Sequence, residues 1–475
     1  MGRKSGHRDD RGRRLASTSD ATPIRAYGAG LVNAHGEGHE FYLSTTMAGG
    51  QVFDLLVDTG SPLTYLACWP ASREFVDYCG VHEHPYYDAR VSDDFRFLNA
   101  TTNAEDDAYC RRASSWFILD DESGACGFEI GYMDNSTAIG LMAEDVMTVG
   151  DELAGAKMIF GCGCLVKANG EADRHDGMAG FGRGETTFHT QLARTGVIDA
   201  DVFGFCSEGA GTNTAMLSLG RYDFGRDLSP LSWTRMLGDD ELAVRTMSWK
   251  LGAKIIAGST NVYTVLDSGT TLVMLPPVMY GNFMKELLDR IVDLNATYSD
   301  VLVFEDYSFS TFCFYSESGA LTNEIIRDVL PKLTITYDPD IALVLPPENY
   351  LFSSWIVPRE HCIGIMEGAE GQIILGQQTL RNTFVEYDLE NERIGLAVTH
   401  CENLREKHAP DGPTRDPWRF VAVVFILLFS TSVVGTAVLV AWHHKRRAGK
   451  EFTWRVLDDA ELLDPEIELS DVARA

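Results

Sequence analysis

From His39 onward the chain reads as short apolar runs broken by glycine and small polar residues, the pattern of strands and tight turns. "EFYLSTTM" and "GGQVFDLLVDTG" open this region. The stretch from Trp69 to Gly127 is loop-like, dense in Asp, Asn, Ser and Cys. Short strands and glycine turns resume up to "AMLSLG" near Gly220, and a second strand-rich half runs from about Tyr222 to Asn403. Residues 1–38 are polar and are expected to be loosely ordered. After a polar, proline-bearing stalk, 404–417, comes Phe420 to Trp442, 23 residues without a charge. As a helix this run spans roughly 35 Å, enough to cross a bilayer core once. Trp418 and Trp442 flank it as interface aromatics, and "HHKRR" follows at once. Positive residues favour the cytosol, so 443–475 is expected to be a cytosolic tail and the bulk of the chain lumenal or extracellular, a single-pass type I arrangement. Within that tail "DDAELL", Asp458 to Leu463, has the form of an acidic di-leucine sorting signal.

One stretch breaks the apolar rule. In "LLVDTGSPLTYLAC", Leu55, Leu56 and Val57 read as a buried strand and Thr59-Gly60-Ser61 as a tight turn, which leaves Asp58 where an unpaired charge is costly. The same unit recurs in "YTVLDSGTTLVMLP", and Asp267 lies 209 positions after Asp58. A single D-[ST]-G triplet says little, because composition alone predicts about 0.2–0.3 in a chain this long. Two, one per half, each behind an apolar run and each continued by Ser or Thr, say much more. A further apolar-apolar-Gly element follows in each half, "GMAGFG" and "IILGQ", so the halves read as two similar lobes. Gly60 and Gly269 permit close approach of two backbones. Thr59 and Ser268 can then bond across to the opposite loop, while Ser61 and Thr270 can donate to the aspartates. Two carboxylates brought together in this way would share one proton, which suits them to hold a water between acid and base forms.

Composition narrows the class. The 475 residues exceed one ordinary core, and the formal charge of -29 argues against a nucleic-acid partner. Residues 39–417 carry 26 Lys/Arg against 57 Asp/Glu, whereas residues 1–38 carry seven against four. A solvated acidic surface accounts for the first; the basic head also has the balance of a pro-segment remnant. The ten cysteines, at 68, 79, 110, 126, 162, 164, 206, 313, 362 and 401, form no C-x-x-C pair and have no His partners at finger-like spacing, so zinc is not expected. With three N-x-[ST] sequons at Asn99, Asn135 and Asn295, they suit disulfides in a secretory lumen. The opening "MGRKSGHRDDRGRRLASTSD" lacks an apolar signal region, and the expectation is a start that is truncated or misassigned; a cytosolic protease domain is the alternative, in conflict with the distribution of positive charge.

Seven blocks carry a resemblance. "VDTGSPLTYLAC", "CGFEIGYMDNSTAIGLMAEDVMTVG", "IFGCG", "DGMAGFGRGETTFHTQL", "VLDSGTTLVMLPP", "LPPENYLF" and "ILGQQTLRNTFVEYDLENERIGLAVTHC" stand in the order found in pepsin-like aspartic proteases. The chain resembles that family over about residues 39–407, and more closely its nucellin-like, membrane-anchored plant branch. The resemblance implies an all-β bilobal fold with two pseudo-symmetric lobes: 39–221 with Asp58 and the flap, and 222–403 with Asp267. A transmembrane helix at 418–442 follows.

It implies Asp58 and Asp267 as the catalytic pair of an aspartic endopeptidase, acting on peptides or proteins without a metal or organic cofactor, as a monomer. Tyr132 falls at the flap, where "YMDNST" puts Met133 and Asn135 at the family's usual glycines. Tyr65 stands where the family usually has a tryptophan that bonds the flap tyrosine. A glycan on Asn135 would crowd the cleft, so either that sequon is unoccupied or entry to the cleft is restricted. The resemblance suggests the disulfides Cys313–Cys362 and Cys206–Cys401; pairing of the other six, in and around the first-half loops, is left open, although Cys162 and Cys164 are not expected to join each other. A catalytically silent binding or inhibitor protein on the same scaffold is the alternative. Such relatives usually lose an aspartate or its hydroxyl neighbours, and this chain keeps both sets. An adhesion ectodomain with coincidental triplets would show no repeat.

Overall fold

The computed structural model of the chain describes residues 24–26 and 41–408, apart from 69–81, 83, 112–116, 120–121, 134, 150–154, 167–174, 209–214, 239–240, 299, 307–310, 320 and 354–359. The apolar run Phe420–Trp442, the segment 443–475 with Asp458 to Leu463, Cys79, and most of 1–38 and of the stalk lie outside the described residues. No helix among the described residues is long and apolar enough to cross a membrane.

Four sheets are built from the described strands. A nine-stranded sheet takes its strands from Tyr42–Met47 through Gly177–Gly180. A seven-stranded sheet takes strands between Ala243–Leu251 and Gln372–Leu375. A small four-stranded sheet runs from Val301–Asp306 to His361–Ile363. The six-stranded sheet draws on distant parts of the chain, pairing Val202–Ser207 with Thr383–Asp388 and Ser232–Arg235 with Arg393–Val398.

The two aspartate-bearing strands sit in matching surroundings. Gln51–Asp58 pairs in parallel with Gly177–Gly180, in the register Val57 to Ala179 and Asp58 to Gly180. Lys254–Leu266 pairs in parallel with Gln372–Leu375, in the register Val265 to Ile374 and Leu266 to Leu375. The residues leading into each aspartate are covered, and Leu55, Val57, Val265 and Leu266 are all buried. In each half the chain then returns antiparallel to the same partner, Tyr65 opposite Met178 and Met274 opposite Ile374. A Cβ on Gly180 would stand 2.4 Å from the Leu63 carbonyl oxygen, and one on Gly376 2.2 Å from that of Leu272. Leu63 and Leu272 each lie five residues past an aspartate, so the repeat legible in "GMAGFG" and "IILGQ" extends to the same backbone crossing.

The fold is mostly β, in keeping with the expected all-β class, and the longest helix among the described residues is Pro277–Tyr298, whose Met279, Phe283, Leu287, Ile291 and Leu294 recur at helical spacing and are buried. Two expectations need correction. The loop-like first-half region contains a helix, Ala104–Arg111, tied to the sheet by Arg96, which bonds both Asp106 and Glu144. And 1–38 is not loose throughout, because Ile24–Ala26 pairs antiparallel with Leu217–Leu219 on an edge of the six-stranded sheet.

Both disulfides suggested by the resemblance are formed, Cys206–Cys401 and Cys313–Cys362. Of the pairings left open, Cys68 joins Cys162 and Cys110 joins Cys126, while Cys164 is also disulfide-bonded. Cys162 and Cys164, two apart on the strand Ala156–Val166, thus have separate partners.

Candidate active site

The two turns after Asp58 and Asp267 meet and bond to each other in a reciprocal pattern. The Thr59 N–H donates to Ser268 Oγ (3.1 Å), and the Ser268 N–H donates to Thr59 Oγ1 (2.8 Å). Each hydroxyl then donates onward, Thr59 Oγ1 to the Leu266 carbonyl (2.8 Å) and Ser268 Oγ to the Val57 carbonyl (2.7 Å). All four groups are buried, so each bond also spares a polar atom from desolvation without a partner. At a net ~0.5–1.5 kcal/mol apiece, the set contributes about 2–6 kcal/mol and fixes the spacing of the two loops.

That junction brings the carboxylates together. Gly60 lacks a side chain because its Cβ would stand 2.8 Å from Asp267 Oδ1, and Gly269 because its Cβ would stand 2.3 Å from Asp58 Oδ1. Asp58 accepts from the Gly60 N–H (2.8 Å) and Asp267 from the Gly269 N–H (2.9 Å). Burial, then repulsion from the Asp267 charge, then a hydrogen bond between the two side chains, push the Asp58 carboxyl well above its ordinary value, against the opposing Gly60 and Ser61 backbone donors. Asp58 therefore holds a proton at pH values where a free aspartate has lost it. The arrangement answers the cost of burying this acid: one proton shared by two carboxyls, inside a cradle of N–H and O–H donors.

The hydroxyl neighbours differ. Thr270 Oγ1 donates to Asp267 Oδ2 as expected. Ser61 does not do the same for Asp58, because its hydroxyl turns to the Leu63 carbonyl (3.4 Å), leaving its backbone N–H as the group that favours the Asp58 charge. The expectation of two equivalent hydroxyl donors is corrected on that side.

Tyr132 follows the strand Cys126–Gly131 at the tip of a hairpin whose other arm is Thr137–Val149. Its N–H donates to the Ser136 carbonyl (2.8 Å), and the Asn135 N–H donates to the Tyr132 carbonyl (3.0 Å), closing the tip. Asn135 has φ 63°, the left-handed conformation that glycine meets freely and asparagine best tolerates among the rest. Met133 has no positive φ and is 65% exposed, so a side chain costs nothing there. Tyr132 packs in one apolar cluster with Tyr42, Leu56, Tyr65, Phe128 and Met178, and its hydroxyl donates to Met178 Sδ (3.4 Å). Tyr65 is buried in that cluster, against Phe128 (ring centroids 6.5 Å apart). Met178 sits one strand from Asp58, so the hairpin tip lies over the strand pair that carries the carboxylate.

Sequence reasoning missed three supporting residues. Gln377, next after "ILG", donates its side-chain amide to the Ser268 carbonyl and its backbone N–H to the Thr270 carbonyl (2.9 Å). Met178 accepts from the Tyr132 hydroxyl, and Tyr387 is fully buried, where burial raises its phenol and the Thr59 side chain partly offsets the rise. Only Gln377 carried a signal, a polar amide directly behind an apolar strand. A cluster of Cys313, Cys362 and Glu360 has the donor types of a metal site, but its two sulfurs are bonded to each other and cannot serve as thiolates.

A model of the eukaryotic aspartyl protease family matches residues 42–399. Among characterised relatives, aspartic proteinase 39 of Arabidopsis thaliana is 27% identical over 381 residues, covering 74% of this chain and 72% of its own. Aspartic proteinase 36 of the same plant is 26% identical over 381 residues, covering 73% and 71%. Nepenthesin-2, an aspartic proteinase of Nepenthes gracilis, is 25% identical over 370 residues, covering 74% and 75%.

Proposed function

Because the chain belongs to the eukaryotic aspartyl protease family and is an aspartic-type endopeptidase, we propose that Asp58 and Asp267 are its catalytic pair, acting on peptide or protein substrates. One observation carries this reading: two turns far apart in sequence interlock through Thr59 and Ser268 so that each glycine faces the opposite carboxylate.

In the mechanism that follows, the pair works with one proton. Asp58, whose buried carboxyl retains it, serves as the acid toward the scissile carbonyl oxygen. Asp267, which accepts from the Thr270 hydroxyl and the Gly269 N–H, serves as the base toward an attacking water. Attack gives a tetrahedral intermediate with no covalent link to the chain, and return of a proton to the amine nitrogen lets the C–N bond break. The hairpin carrying Tyr132 closes over the substrate, and the Tyr132–Met178 contact sets its resting height. Activity belongs to acidic pH, since one carboxyl must stay protonated. The silent-binder alternative gains nothing from this site, which keeps both acids and their donors.

The reading extends to a type I membrane protein of the nucellin-like branch, held by Phe420–Trp442, with the protease part lumenal or extracellular. Its support is the 23-residue uncharged run and the basic cluster after it.

The test is a peptide-library cleavage assay from pH 3 to 8 with wild type, Asp58→Asn and Asp267→Asn. Each substitution is expected to lower kcat/KM by roughly a thousandfold or more, and undiminished cutting by either would reject the pair. Resistance to alkaline carbonate extraction tests the anchor; release of the full chain into the supernatant would reject it.

A further inference from the structure

A cavity of about 410 Å3 opens on the second half of the chain, a volume within the range of small-molecule sites. None of its lining residues belongs to the two aspartate turns or to the hairpin of Tyr132. The short helix Gln377–Leu380 stands between the cavity and the Asp267 turn. At its start Gln377 holds the Ser268 and Thr270 carbonyls. At its end Asn349, in the cavity wall, donates to the Thr379 and Arg381 carbonyls (both 2.8 Å).

The wall is unbalanced in charge. It contains Arg327, Arg381 and Glu348, and its remaining titratable side chain, His400, brings no negative charge. Arg327 Nε donates to Glu348 Oε1, which occupies that guanidinium. Arg381 is left over. Its guanidinium makes no hydrogen bond or ion pair with any described residue, and its Nε is buried. Burial holds Arg381 below the usual arginine value, a fall that Glu348 and Glu208 oppose and Arg327 deepens. Glu208 lies outside the lining and accepts from the Glu402 N–H (2.9 Å). Two guanidiniums thus share one carboxylate, and a partly buried cation without a partner is costly to keep. One further negative charge would answer it, and a carboxylate matches the planar fork of an arginine.

Glu348 leaves a second loose end, because its Oε2 is buried without a donor and does not pair with Arg381. A ligand with an N–H or O–H beside its carboxylate would serve both residues. Leu345, Pro346 and Val398 add an apolar stretch of wall for a side chain. The last residue of a peptide has all three parts, and so does a free amino or hydroxy acid.

We propose that this cavity is a second ligand site, for a carboxylate with a hydrogen-bond donor on its α carbon. Arg381 takes the carboxylate, Glu348 the neighbouring N–H or O–H, and Leu345, Pro346 and Val398 the side chain. Both orphan atoms are covered, so entry of the ligand includes a small rotation of the Arg381 and Glu348 side chains. The site takes no part in the cleavage step and does not depend on the assignment of Asp58 and Asp267.

The test titrates the full chain by calorimetry at pH 6, where a peptide C-terminus is ionised. The probes are an acetylated tripeptide ending in leucine, the same tripeptide with its C-terminus amidated, and free leucine. Saturable binding of the free-acid tripeptide or of leucine is expected, with the amidated peptide about tenfold weaker or worse. A tighter tripeptide identifies a peptide C-terminus as the ligand, and tighter leucine a free acid. Arg381→Gln is expected to weaken the acid about tenfold or more. Should that variant not fold, Val398→Glu replaces it: Val398 is 52% exposed, and an acid there supplies the missing charge and should weaken binding as much. Equal affinity for acid and amide, unchanged affinity in the variant, or no binding up to roughly 10 mM would overturn the proposal. Binding in the aspartate cleft would survive both amidation and Arg381→Gln, so the readout tells the two sites apart.

Discussion

Gly269 lies so close to Asp58 that a Cβ on it would stand 2.3 Å from Oδ1 and 2.5 Å from Cγ, and Gly60 stands in the matching relation to Asp267. These glycines are fixed by the opposite half of the molecule, not by backbone conformation, since neither has a positive φ. Gly269→Ala must therefore displace the Asp58 carboxyl, a rigid buried group. A misplacement on the order of 1 Å is expected to lower kcat about a hundredfold while the fold is kept. Steady-state cleavage together with near-UV circular dichroism checks this. A Gly269→Ala enzyme with wild-type kcat would show that the carboxyls are not held as described.

The two aspartate turns were legible because each demands a rare local combination, an acid behind an apolar strand and a glycine two residues on. The pairing glycines of "GMAGFG" and "IILGQ" were legible for the same reason: Gly180 and Gly376 have no room for a side chain. Other features depend on partners far away in sequence and leave no local trace. Ser61 and Thr270 occupy equivalent positions, yet only tertiary packing decides that one hydroxyl turns to Leu63 and the other to Asp267. Arg381 is a single arginine in "TLRNTF", and nothing nearby announces Arg327 and Glu348 as its neighbours in one cavity wall. The helix Pro277–Tyr298 was readable from the spacing of Met279, Phe283 and Leu287, but a strand-dominated context masked a period that was present.

Thr59 both accepts from Ser268 N–H and donates to the Leu266 carbonyl, so Thr59→Ala strands two buried groups in the other half. An unsatisfied buried donor or acceptor costs about 1–3 kcal/mol, and a loss of about 2–5 kcal/mol in unfolding free energy is expected. Thr59→Ser keeps the hydroxyl and should recover most of it. Urea denaturation of the three proteins measures the series. Equal stability of the Ala and Ser variants would mean the hydroxyl bonds do not join the halves.

The raised Asp58 carboxyl has a consequence for stability as well as for rate. In the folded chain this group binds its proton more tightly than in the unfolded chain, where its value is near 3.8. Its contribution is therefore fully present below that value and is lost as pH rises through the raised folded value. Asp58→Asn keeps the shape and abolishes this titration. The variant should gain stability relative to wild type from pH 4 upward, with the difference greater at pH 7 than at pH 3. Thermal unfolding across that range reads the sign directly; a variant whose advantage shrinks with rising pH would contradict it.

The hairpin tip offers the last prediction, because Asn135 answers two demands at once. Its φ of 63° excludes most side chains, and its sequon offers a glycan beside Tyr132. Asn135→Gly relieves the first demand, so the closed tip should persist and kcat/KM should stay within about twofold of wild type. Asn135→Val forces a β-branched residue into the left-handed region at a cost of about 1–2 kcal/mol, enough to shift the tip away from its Tyr132–Ser136 closure. A several-fold fall in kcat/KM with an unchanged unfolding midpoint is expected, since the strain is confined to one exposed turn. Thr137→Ala, which removes the sequon but keeps Asn135, separates the two demands. With Asn135 unglycosylated, it should change the mass of the tip peptide only by the difference between threonine and alanine and leave the cleavage rate unaltered. A larger drop in peptide mass on Thr137→Ala, by the mass of a glycan, with a wild-type enzyme that cleaves well, would mean that the hairpin closes with its sugar turned to solvent.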